Sequence, residues 1–99
     1  MLEGLYFQLY EIEMLGGEVR RAVHFLEKSA KGKGFYADAA RIILDSIGNH
    51  IDPEEIRDRL MGLDGEDEEK KAIYFRFLYS YNRYNVKYPY YDSMRCNDE

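Results

Sequence analysis

The sequence predicts an all-α protein, a compact bundle of four to five short helices followed by an extended carboxyl-terminal tail. Three observations predict it. Threonine and tryptophan are absent and valine occurs only at positions 19, 23 and 86, so strands are poorly supported. Apolar residues nowhere alternate over a sustained stretch and instead recur at spacings of three and four. Glycines fall between the periodic stretches, at positions 16, 17, 32, 34, 48, 62 and 65, where helix ends and turns take residues tolerant of positive φ.

Five segments result. In the first, about Leu2 to Leu15, the residues Leu2, Leu5, Tyr6, Leu9 and Ile12 form one stripe at about 100° per residue, while Phe7, Tyr10 and Met14 fall to one side. So broad an apolar surface suits a helix wedged between two neighbours, or one that meets another subunit. Within it, Glu3 to Gln8 resembles a protease recognition sequence used to remove expression tags, but it departs at Gly4 and Leu9 and is read as native. The second segment, about Glu18 to Ala30, turns Val19, Ala22, Val23, Leu26 and Ala30 inward and Arg20, Glu27 and Lys28 outward. The third, about Phe35 to Ile47, carries Phe35, Tyr36, Ala39, Ala40, Ile42, Ile43 and Ile47, with Gly48-Asn49 as a left-handed stop and alanines small enough for close helix contact.

The fourth helix has the best-defined start. Asp52 as N-cap, Pro53 at N1 and Glu55 at N3 place acceptors around the unpaired first amides, and Ile51 and Ile56 are spaced as a hydrophobic staple. The acidic run from Asp64 to Glu69 then precedes Lys70 and Lys71, as expected where carboxylates favour a helix amino end. That fifth helix is predicted to run to about Lys87 and to end at Pro89, leaving residues 89–99 as a tail beyond a single helical domain of residues 1–88.

Composition narrows the function classes. The chain has 99 residues, is 45% hydrophobic and 33% charged, and carries a net charge of -5, which describes one soluble domain and excludes a disordered acidic tail. No run of roughly 18 apolar residues exists to span a bilayer, and the amino terminus lacks the features of a secretory signal. Cys96 has no partner cysteine, so a reducing, cytoplasmic setting is expected.

Charge and aromatic side chains are distributed unevenly. Residues 1–69 hold 8 basic and 16 acidic side chains, whereas residues 70–95 hold 6 basic and 1 acidic. Seven of the ten tyrosines lie between residues 74 and 91. On the fifth helix, Ile73, Tyr74, Phe77, Leu78, Tyr81, Tyr84 and Tyr88 share a wide core-facing arc, which accounts for most of these aromatics as core. Phe75 and Tyr79 fall outside it, touch at i and i+4, and lie beside a strip of Arg76, Arg83 and Lys87. An exposed aromatic pair beside guanidinium groups suits a protein partner, and less specifically stacked bases and phosphates.

Chemistry of other kinds has weak support. His24 and His50 lack metal-ligand spacing, and no metal or cofactor is expected. His24 follows Arg20 and Arg21 on what reads as a solvated helix edge, and His50 follows a helix end, where it can face unpaired carbonyls. Lys31-Gly32-Lys33-Gly34 lacks the strand and the hydroxyl ending of a phosphate loop and reads as a helix connection. The acidic run has its glycine in the wrong place for a calcium loop, and Glu11 and Glu13 project to different sides of their helix. The expectation is therefore a non-enzymatic interaction or self-assembly module, a dimer or a binder of another protein, with Phe75, Arg76, Tyr79, Arg83 and Lys87 at the contact. The alternative is nucleic-acid binding through Arg20, Arg21, Lys31, Lys33, Arg76, Arg83 and Lys87, against which the acidic net charge argues.

Overall fold

Local backbone chemistry divides the described residues into five helices: α1 (Leu2–Leu15), α2 (Val19–Ala30), α3 (Phe35–Asn49), α4 (Pro53–Met61) and α5 (Asp67–Lys87). The structure, a computed structural model, describes residues 2–49 and 51–87, with side chains described as far as Asn82. The predicted stop at Pro89, the tail of residues 89–99, His50, Tyr88 and Cys96 lie outside the described residues, as do the side chains of Arg83, Tyr84 and Lys87. Among the described residues there is no strand, and the all-α class holds. No helix among them is long and apolar enough to cross a membrane.

Each junction has a local cause. Gly17 takes φ 84°, which lets Glu18 N reach back to Glu13 O at 2.9 Å while Gly16 N and Gly17 N satisfy Ile12 O and Met14 O. The chain reverses there, and Glu18 is the N-cap of α2 without a side-chain capping bond, so α2 begins one residue later than predicted. Gly34, at φ 101°, opens α3. The predicted left-handed stop at Gly48-Asn49 is corrected: α3 continues through both residues, and the Asn49 amide donates to the Asp45 carboxylate to hold the last turn. Asp52 caps α4 as predicted, its carboxylate accepting from Glu54 N at 3.3 Å, with Pro53 at N1. Ile56 is fully buried and Ile51 packs partly buried beside the core, consistent with the staple. At the far end of α4, Lys70 Nζ donates to Met61 O at 3.1 Å, closing one of the carbonyls a helix end leaves open.

The helices pack as a core of α1, α2 and α3, with α4 leaning on α3 and α5 returning over α4 to meet only a short stretch of α1. Ala37, Ala39 and Ala40 are completely buried, the close approach expected of small residues on α3. Val23 and Leu26 of α2, Ile43 of α3, Leu60 of α4, and Ile73 and Phe77 of α5 complete the centre. Burial of each such side chain favours the fold by about 1.5–3 kcal/mol. The broad apolar surface of α1 is covered only in part. On α1 the buried side chains are Phe7, Tyr10 and Met14, whereas Leu2, Leu5 and Ile12 of the predicted stripe are more than half exposed. Phe7 contacts the rings of Tyr10 and Tyr36 at centroid distances of 5.4 and 5.5 Å, so Phe7 packs between α1 and α3, while Tyr10 and Met14 turn towards α5.

Candidate interaction surface

The i, i+4 spacing that projects Phe75 and Tyr79 away from the predicted arc is realised in α5. Ile73 and Phe77 are buried, Tyr74, Leu78 and Tyr81 are half-buried, and Phe75 and Tyr79 are 64% and 56% exposed. Lys70 and Ser80 join the buried side of α5, which the hydrophobic pattern alone did not indicate. Because α5 meets α1 only briefly, an apolar cleft of about 300 Å³ opens between them, walled by Tyr10, Met14, Leu15, Ile73 and Phe77, with Phe75 and Tyr79 along it.

Arg76 lies between these two aromatics in sequence and turns to its own chain. Its Nε donates to Glu11 Oε2 at 2.7 Å, and its terminal nitrogen lies 3.8 Å from Glu69 Oε2. Tyr36 Oη in turn donates to Glu69 Oε2 at 3.1 Å, so one guanidinium, two carboxylates and a phenol tie α1, α3 and α5 together. Burial pushes the Glu11 carboxyl above its ordinary range, against the pull of the Arg76 hydrogen bond and charge. Burial, and then the Glu69 carboxylate accepting its proton, push the Tyr36 phenol up as well. These four residues are scattered across the chain, with Glu11 and Arg76 separated by 65 positions, and no local pattern points to their meeting.

Of the predicted contact residues, Phe75, Arg76 and Tyr79 therefore share one edge of the cleft, with Arg76 held by carboxylates. Arg83 and Lys87 belong to the α5 backbone, but their side chains lie outside the described residues. The basic residues of the nucleic-acid alternative are partly committed too. Arg21 lies 3.7 Å from Glu13. In the Lys31–Gly34 connection, Lys33 N donates to Glu3 Oε2 at 3.0 Å and Gly32 O accepts from Arg41 at 2.6 Å, so an internal carboxylate occupies the loop amide. Among the described residues, no three His, Cys, Asp or Glu side chains come together in a way that could hold a metal ion.

No protein-family model matches the chain, and no curated protein or solved structure matches it either.

Proposed function

We propose that this protein is a non-enzymatic, cytoplasmic helical module that self-associates as a homodimer through the face formed by α1 and α5. The carrying observation is that Phe75 and Tyr79, about one turn apart on α5, stay 64% and 56% exposed beside an apolar cleft. Large aromatics with a neighbouring arginine are the residue types that dominate protein contacts, and a two-fold dimer is the commonest way for one chain to cover such a patch.

Light scattering over a concentration series at low and high salt tests this. A dimer that resists salt is expected, and Phe75→Ala with Tyr79→Ala should lower its mass while leaving helicity intact. A dimer indifferent to that pair would remove these residues from the contact. A monomer carrying nucleic acid that salt strips away would replace the reading with the nucleic-acid one.

A further inference from the structure

Among the described residues three serines are buried, and two of them are satisfied within the chain. Ser29 Oγ donates to Glu3 O at 2.8 Å, and Ser46 Oγ donates to Ile43 O at 2.6 Å. The third is Ser80 of α5, 7% exposed, whose hydroxyl has no hydrogen-bond partner among the described residues. Buried hydroxyls are nearly always paired, so an unpaired one marks a place where a group from outside the chain completes the bond. Ser80 lies on the lining of the cleft of about 300 Å³ between α1 and α5.

The other lining residues define the kind of group that fits. Tyr10, Met14, Ile73 and Phe77 are all buried, so the cleft reaches down to the core. Aromatic rings and a thioether pack well against a flat ring, and the exposed rings of Phe75 and Tyr79 stand along the opening. The two charged side chains on the lining, Glu11 and Arg76, are paired with each other at 2.7 Å, so the cleft presents no net charge and complements an uncharged ligand. A dry apolar cavity of about 150 Å³ holds one benzene ring, and this cleft has room for two fused rings.

We infer that the cleft between α1 and α5 is a binding site for a small uncharged ligand of two fused aromatic rings bearing one hydroxyl or N–H group, which pairs with the Ser80 hydroxyl. The rings lie against Tyr10, Met14 and Phe77, and the polar group reaches the α5 wall. All of these walls come from a single chain, so the site does not depend on the self-association proposed above. A second copy seated on Phe75 and Tyr79 would cover the opening, and the test separates that occupant from the ligand.

Titration of the full chain with β-naphthol, followed by calorimetry and by methyl resonances, tests the site, with naphthalene as the control that lacks the hydroxyl. The expected result is saturable binding of one β-naphthol per chain with a dissociation constant below about 1 mM, the Met14 and Ile73 methyl signals shifting most. Ser80→Ala, which places a better helix former in α5, should weaken β-naphthol about fivefold and leave naphthalene within about twofold, with helicity unchanged. An equal change for both compounds overturns the pairing with Ser80, and the proposal with it. Absence of saturable binding, or shifts centred away from the cleft, overturns the site. Binding of β-naphthol only where the chain is diluted to a monomer identifies a second copy as the occupant, which overturns the ligand site and supports the self-association reading.

Discussion

Helices α1 and α2 lie against each other, yet they divide their apolar residues in opposite ways. In α2 one face holds Val19, Ala22, Val23 and Leu26, all buried, and Arg20, Arg21 and Lys28 are turned to solvent. In α1 the apolar residues go round the helix, and the bundle covers only the side with Phe7, Tyr10 and Met14. The flank between the two helices is closed by Tyr6 stacked on Phe25 at 6.2 Å, with Lys28 Nζ 5.6 Å from the Tyr6 ring centre. The lesson is that a single apolar stripe specifies its own burial, whereas a surplus leaves the choice to the neighbours and leaves a remainder facing water.

Truncation on the two faces should break this comparison most sharply. Leu26→Ala, at a side chain with no exposed surface, should cost about 3 kcal/mol, while Leu5→Ala should change the stability of the dilute chain by no more than about 0.5 kcal/mol. Urea unfolding at fixed low concentration measures both, and comparable losses would mean that α1 buries its outer stripe after all.

A smaller effect is expected where α2 holds the first turn of α1. The buried Ser29 hydroxyl donates to Glu3 O at 2.8 Å, and Ser29→Ala should cost about 1 kcal/mol and speed amide exchange in the first turns of α1. Unchanged exchange there would show that apolar packing alone holds the helix start.

The smallest effect concerns the edge of α1 that faces α5. A carboxyl whose pKa is raised on folding favours the folded state fully below its unfolded value, and that contribution is lost as pH rises through the native value. Glu11 is such a group, so Glu11→Gln should be the more stable protein at neutral pH. The difference should close as pH falls towards the ordinary glutamate value of about 4.3. Unfolding curves across that range measure it, and a difference that widened on acidification would mean that the Arg76 pair, rather than burial, sets the Glu11 pKa.

Much of the fold and part of the candidate surface were legible in the sequence. The Asp52-Pro53 start of α4, the Gly16-Gly17 reversal and the inward face of α2 depend on neighbours in sequence, and each is realised. The outward projection of Phe75 and Tyr79 was legible for the same reason, since Ile73, Phe77 and Leu78 already marked the inward arc of α5. The Gly48 stop failed because a glycine tolerates a left-handed turn without requiring one, and the bond from Asn49 to Asp45 keeps the helix going.

What the sequence determined by itself is the set of helices and most of their ends, because caps, glycine turns and 3.6-residue periodicity act over a few residues. What only the tertiary structure decided is which stripe of α1 was buried, how Glu11, Arg76, Glu69 and Tyr36 met, and why Lys70 lies inside against the end of α4. Those outcomes depend on the volume left where α1 and α3 cross and on charges brought together from distant parts of the chain. The sequence pattern of a single helix carries neither quantity.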